Sequence, residues 1–212
     1  ELPEVEVVKR SLTNKVRNLI IKKVKINDHR LRYYLDKNKI RKIVGLKFKK
    51  IERRSKFLLF FFNKDVVMLT HLGMTGKFFF INQKNTKFKT SFYYNISDSK
   101  DQKHDHVVFF LNNNQKLIYN DVRKFGFIKF LNNEDYNDCL HLKNLGPEPL
   151  GKEFNWLYFK QYAKGRNRAI KNILMDQKFV SGIGNIYASE ILFLSKINPT
   201  TYAMKLSKEE CK

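Results

Sequence analysis

KFLLFFF (Lys56–Phe62), NKD (Asn63–Asp65) and VVMLTHL (Val66–Leu72) follow one another without a break, and KFFFI (Lys77–Ile81) comes shortly after. The apolar runs are short, aromatic and β-branched, and a polar triplet separates the first two. That is the signature of buried strands joined by a tight turn, since a helix would need a longer run at a 3.6-residue period. Val107–Leu111, Lys116–Tyr119 and Phe127–Leu131 repeat the texture, with Asn112–Gln115 as another turn. Five or six such strands between about Ile20 and Phe130 predict a β-sandwich or barrel.

Outside this region the period changes. Leu2, Val5, Val8 and Leu12 recur at helical spacing. Pro3 suits a first turn, Glu4 and Glu6 sit at the positive end of the dipole, and Glu6 and Arg10 are four apart in the favourable order. LGPEPL (Leu145–Leu150) punctuates the end of the β region. Helical patterns follow at Phe154–Lys164, at Ile170, Ile173 and Leu174, and at Ile186–Leu194. The expected organisation is α+β: an N-terminal helix with a two-sheet β-sandwich over 1–146, then a helical domain over 147–212. The long polar stretch Asn82–Lys103 reads as a surface loop, and its Asn95-Ile96-Ser97 sequon carries little weight without a secretory signal.

Composition narrows the function classes. The 212 residues carry 42 Lys+Arg against 20 Asp+Glu, a net charge of +22, with 42% hydrophobic residues. The apolar content supports a real core, so the charge is not that of a disordered basic tail. No apolar run approaches the ~18 residues of a membrane span. Two cysteines, Cys139 and Cys211, cannot form a disulfide framework or a four-thiolate zinc site. A folded intracellular protein with a polyanionic partner is expected, DNA or RNA foremost.

Several segments carry chemistry. SGIGN (Ser181–Asn185) is a glycine turn: Gly182 and Gly184 permit positive φ and close approach, and Asn185 can cap the helix that follows. Such a turn presents N–H groups to an anion. Lys56, at the head of a strand core, would be held rigidly. Met74 and Phe125 lie in glycine-bearing turns, which favours exposure over core packing. His104 and His106 flank Asp105, but two imidazoles without a third ligand make a poor metal site.

ELPEVE, RRSKFLLF, HLGMTGKF, KHDHVVF, NDVRKFGF, LGPEPL and IKNILMDQKFVSGIGNIYASEILF occur in this order from residue 1 onward. Together they resemble the formamidopyrimidine-DNA glycosylases of the Fpg/Nei group. The resemblance implies removal of oxidised purines such as 8-oxoguanine, then nicking of the abasic site by β,δ-elimination through a Schiff base. The nucleophile would be the amine of a proline directly before Glu1. An α-amine suits that work because its ordinary pKa, about 7.7–8.0, lies well below lysine's. By resemblance Glu1 is the general acid/base, Lys56 a catalytic-centre lysine and Glu4 a pocket residue. His71, His104, Arg123, Arg166, Lys171 and Asn185 would contact DNA, and Met74, Arg123 and Phe125 would fill the gap left by an extruded nucleotide. The helical part resembles a helix–two-turn–helix module. Full-length relatives add a C-terminal zinc finger, absent from this chain. The chain is therefore expected to bind no metal, to be C-terminally truncated and weakly active at most, and to act on duplex DNA as a monomer without a membrane. An endonuclease VIII-like enzyme for oxidised pyrimidines, a non-catalytic damaged-DNA binder and an RNA-binding protein are the alternatives.

Overall fold

The computed structural model describes residues 1–90 and 99–212, with the side chains of Lys89, Ser99, Lys100 and Asp101 excepted. The sequon at Asn95–Ser97 lies outside the described residues. The chain divides into two compact units: Pro3–Asn137, and Asp138–Lys212 together with Glu1–Leu2.

In the first unit, α1 (Leu2–Val16) buries Val5, Val8, Leu12 and Val16. Two antiparallel sheets follow. One has the order β1 (Ile21–Ile26), β7 (Asp105–Leu111), β8 (Lys116–Asp121), β5 (Gly76–Ile81), β6 (Lys87–Lys89). The other runs β2 (Phe48–Arg54), β3 (Phe57–Phe62), β4 (Val67–His71), β9 (Phe127–Leu131). Period-two alternation sends Leu58, Phe60 and Phe62 of one sheet, and Phe78, Phe80, Phe109 and Tyr119 of the other, into one core with the apolar stripe of α1. Each such side chain contributes roughly 1.5–3 kcal/mol on burial. On the outer face of the five-stranded sheet Phe79, Val108 and Ile118 form a smaller cluster, over which Lys87 lays its ammonium 3.8 Å from the Phe79 ring.

Nine strands are present among the described residues, more than the five or six expected. The additional ones are β1, β2 and β6, whose Lys- and Arg-rich sequences lie at sheet edges, where one side meets water. The short helix α2 (Lys37–Arg41) was likewise not expected; Asp36 caps it by accepting from Asn38 N and Lys39 N.

The second unit holds α3 (Trp156–Ala163), α4 (Ile170–Leu174) and α5 (Asn185–Leu194). Asn155 caps α3 through Leu157 N and Tyr158 N, both at 3.1 Å. Phe179 is fully buried at the centre, stacked on Tyr158 (5.6 Å, 9°) and contacting Phe159 and Tyr162. No helix among the described residues is long and apolar enough to cross a membrane.

Glu6 ties α1 to β2. Its carboxylate pairs with Arg10 (2.9 Å), Lys9 (3.2 Å) and Arg53 (2.9 Å), and Arg53 also donates to Ser55 O. Burial alone would raise the Glu6 carboxyl, but the hydrogen bonds from Arg10, Arg53 and Lys9 outweigh it and lower the pKa from an ordinary 4.5 to about 2. A depressed folded-state value stabilises the protein above the unfolded pKa, and that stability is lost as pH falls through the folded one. The expected outcome for Glu6→Gln is a loss of up to ~3 kcal/mol at pH 7. The gap to wild type should close between about pH 4.5 and 2, as read by urea unfolding across that range. A gap that stays constant with pH would contradict this assignment.

Candidate DNA-contact sites

Sheet register brings two loops together. His71 pairs with Phe127 across β4 and β9, and Gly76 pairs with Asp121 across β5 and β8. The loops Leu72–Thr75 and Val122–Gly126 therefore leave the sandwich side by side. They touch backbone to backbone: a Cβ on Gly73 (φ +63) would lie 2.6 Å from Gly126 N. Gly126 is equally confined, since its Cβ would fall 2.0 Å from Tyr119 Oη and 2.6 Å from His71 O.

Asp121, fully buried, latches the pair. Its Oδ1 accepts from Thr75 Oγ1 (2.5 Å) and its Oδ2 from Gly126 N (2.8 Å) and Tyr119 Oη (3.4 Å). Thr75 Oγ1 in turn accepts from Arg123 N at 3.0 Å, and His106 Nε2 donates to Asp121 O at 2.7 Å. What the latch presents outward is the trio picked out in the sequence. Met74 is 70% exposed, Phe125 46% exposed, and the Arg123 guanidinium sits 4.5 Å over the Phe125 ring.

Residues 28–33 brace this loop pair from outside. Asp28 receives Arg30 through two bonds of 3.0 Å and Lys124 Nζ at 2.6 Å. Those partners, Arg30 first, hold its carboxyl far below the usual carboxylate range. Arg32 N donates to Gly126 O, and Tyr33 packs edge-on against Phe127 at 5.1 Å.

The other sequence candidates of this unit take definite places. His71 closes β4 rather than lying in the turn. Its Nδ1 accepts from Gly73 N (3.0 Å) and its ring stacks on Phe127 (5.6 Å, 15°). With Nδ1 an acceptor, the ring proton sits on Nε2, which makes that atom a donor. Lys56 does not open a strand. It occupies the two-residue turn between Arg54 and Phe57, beside Ser55 at φ +55, a turn pinned through Arg53 to α1. Because Phe57 pairs with His71, Lys56 and His71 share one end of the four-stranded sheet. Glu4 lies half-buried in the first turn of α1. His104 ends a 3₁₀ turn (Ser99–His104), and β7 begins only at Asp105. The two histidines therefore do not share a strand face. Asp105 is structural, accepting from Asn120 Nδ2 at 2.7 Å. Among the described residues no three His, Cys, Asp or Glu side chains are grouped to hold a metal.

In the second unit the site centres on the start of α5. The Glu1 carboxylate caps it, accepting from Ile186 N (2.8 Å) and Tyr187 N (3.1 Å). This corrects the expectation that Asn185 is the cap: Asn185 is the first helical residue and is exposed, and the N-cap position is Gly184, which has no side chain to offer. Of the two glycines only Gly182 has positive φ (+100). Gly184 is needed for approach, since a Cβ there would lie 2.5 Å from Glu1 Oε1. Leu2 N donates to Gly182 O at 3.2 Å. Gln177 braces the turn from behind, accepting from Gly182 N (2.8 Å) and donating to Ile183 O (2.8 Å). The structure thus brings Glu1 to the helix end that carries Asn185. Lys171 is half-buried on α4. Arg166 is exposed in the turn after α3, where its guanidinium lies 4.0 Å over the Tyr162 ring and Nε donates to Tyr162 O.

Asp121, Gln177 and the Asp28–Lys124 bridge were missed in the sequence. Asp121 lies inside the quoted NDVRKFGF motif, and a carboxylate five residues before a glycine is its only local signal. The Asp28–Lys124 bridge spans 96 residues and leaves none.

Two outcomes follow from these contacts. Gly184→Ala displaces the Glu1 carboxylate and should cost about 1 kcal/mol of capping, or roughly fivefold faster hydrogen exchange at the Ile186 and Tyr187 amides. Unchanged protection there would show that the cap does not hold α5. Asp121→Ala strands the Gly126 N–H and the Thr75 hydroxyl, and should destabilise the chain by at least ~1–3 kcal/mol in equilibrium unfolding.

Residues 1–128 match the formamidopyrimidine-DNA glycosylase N-terminal domain family, and residues 145–212 match its H2TH domain family. Formamidopyrimidine-DNA glycosylases of Rickettsia bellii and Ligilactobacillus salivarius are 41% and 42% identical over 212 residues; each alignment covers all of this chain and 72% of the relative. The structure is similar to Lactococcus lactis Fpg in complex with abasic-site DNA, with TM-score 0.85, 28% identity and coverage of 100% of this chain and 73% of that one. It is also similar to the same protein with FAPY-dG DNA, with TM-score 0.84 and coverage of 74% of that chain. By its sequence relatives and by its fold, the chain belongs to the formamidopyrimidine-DNA glycosylase family.

Proposed function

We propose that the chain is the catalytic and helix–two-turn–helix portion of a base-excision DNA glycosylase and AP lyase that removes oxidised purines. Alongside family membership, the observation that carries this reading is the Met74–Arg123–Phe125 cluster, held out from the sandwich by a buried carboxylate. Apolar and guanidinium groups fixed in that way suit filling a duplex from which a nucleotide has been drawn, a displacement that costs a few kcal/mol of stacking.

The chemistry begins with a neutral amine just upstream of Glu1. It attacks the deoxyribose C1′, the damaged base leaves with the electrons of the glycosidic bond, and the amine nitrogen gives up its proton. The C1′–O4′ bond then breaks, the ring oxygen taking a proton, to leave the iminium form of the Schiff base. Removal of a C2′ proton then expels the 3′-phosphate, and a second elimination, with loss of the C4′ proton, expels the 5′-phosphate. We assign Glu1 to proton transfer during these steps: two α5 amides hold its carboxylate in place, so its geometry does not have to be assembled at the moment of reaction. Lys56 and His71, at one end of the four-stranded sheet, suit phosphates beside the reacting sugar, His71 through its Nε2–H. Arg166, Lys171 and Asn185 suit the backbone on the helical unit, His104 a further strand contact, and Glu4 the base pocket. Arg166 would have to leave the Tyr162 ring to do so. The DNA-filled nucleoid is the location this partner implies.

The test uses the full-length gene product on duplexes carrying 8-oxoguanine, with oxidised-pyrimidine duplexes beside them because Lactococcus lactis Fpg has been captured with such DNA. Borohydride should trap a covalent adduct on the purine lesion, and the adduct should vanish when the N-terminal amine is blocked. Tight binding with no trapped species would leave only a DNA-binding protein. Replacing Met74, Arg123 and Phe125 together by Ala should lower base release at least tenfold, from the lost compensation for unstacking. Nicking of a preformed abasic site, where no base is evicted, should fall less.

A further inference from the structure

The strands that carry the Met74 cluster at one end carry a lysine-lined concavity at the other. His71, Phe127 and the Lys56 turn mark the first end. At the second, β3 finishes at Phe62, β4 starts at Val67 and β9 finishes at Leu131. Four residue steps of ~3.3 Å along β4 alone separate Val67 from His71 by about 13 Å. Two hollows, of about 540 and 240 Å³, lie either side of Val66.

Their lysines come from three separate elements: Lys39 and Lys42 from α2 and the residue after it, Lys49 and Lys50 from β2, and Lys64 from the β3–β4 turn. All five are exposed. Acidic neighbours are present but engaged: Asp65 accepts from Asn133 N (2.9 Å), Asp135 accepts from Asn132 Nδ2 (3.3 Å), and Glu52 pairs with Lys50. No carboxylate pairs with Lys42, Lys49 or Lys64 among the described residues. Asn63 Oδ1 is occupied by Lys47 N (2.8 Å), so its Nδ2 group remains a donor.

Cations spread over three elements fit a polymer with charge at intervals better than they fit one small anion. A duplex offers one phosphate charge per ~1.7 Å of its axis. A single strand would need stacking platforms, whereas of the aromatics lining the hollows Phe61, Phe62 and Phe130 are buried and Tyr136 is packed edge-on against Phe61 (5.4 Å, 85°). We propose that this face is a second duplex-DNA contact, gripping the backbone of a segment other than the one the Met74 cluster engages. An enzyme holding two segments at once can pass from one to the other without release. This goes beyond the proposed repair activity and uses none of its residues.

The test compares two triple variants of the full-length protein with the same net charge. One is Lys42→Gln with Lys49→Gln and Lys64→Gln; the other, on β1, is Lys22→Gln with Lys23→Gln and Lys25→Gln. Protein is first saturated with a short duplex carrying a chemically reduced abasic site that cannot be nicked, and failure of the Met74-cluster reading would show at that step. A labelled undamaged duplex is then titrated over a salt series. Wild type should bind it. The concavity triple should flatten the slope of log K against log salt by about 2–3, and the β1 triple should leave it unchanged, while cleavage of the lesion duplex is the same in all three. Equal slopes in the two triples, or no second duplex bound by wild type, would overturn the proposal. So would easier displacement of that duplex by single-stranded RNA than by DNA.

Discussion

The exposed cluster of this protein depends on one buried carboxylate. Asp121 is fully buried, so its oxygens need donors inside the sandwich. The donors it finds belong to both protruding loops: the Thr75 hydroxyl on one side and the Gly126 amide on the other. The hydrogen-bonding requirement of a buried side chain thereby becomes a positional requirement on Met74, Arg123 and Phe125. Apolar side chains standing in water have little holding them locally, and their order comes from the polar network beneath.

The start of α5 obeys similar logic by another route. A helix N-terminus leaves unsatisfied N–H groups, and here the neighbouring residue is a glycine with no side chain to answer them. The acceptor arrives from Glu1, 185 residues away in sequence. Having no Cβ at Gly184 is what lets that carboxylate come close. One contact thus caps a helix and fixes an acidic group beside the start of α1.

How much of this could be read from the amino acids alone depended on whether the determining partner was local. The inner strands were legible because burial on both faces leaves an uninterrupted apolar run, as in Phe57–Phe62. The edge strands β1 and β2 were not, because IKKVKI and FKKIERR show lysine and arginine where the sheet faces water. The apolar stripe of α1 was visible in its spacing, as was the pairing of Glu6 with Arg10. The third partner, Arg53, was not, since it lies 47 positions further along the chain. Met74 and Phe125 could be singled out because glycines mark their turns. Asn185 was misread as a cap for the opposite reason: local chemistry suggested it, and a distant carboxylate already held the position. Lys56 was placed one residue too far into its strand because an apolar run conceals where a two-residue turn begins.

The contact between Gly73 and Gly126 also bears on how such a protein can be altered. Neither loop has room for the other to change shape alone, and Tyr119 closes the space from below. Shortening one loop, or giving it a bulkier residue at that crossing, would push against peptide planes rather than flexible side chains. Anyone wishing to redesign the protruding tip would have to transplant both loops with Asp121 and Tyr119 as one cassette, and evolution would face the same restriction, exploring tip chemistry freely while the crossing beneath it stays frozen.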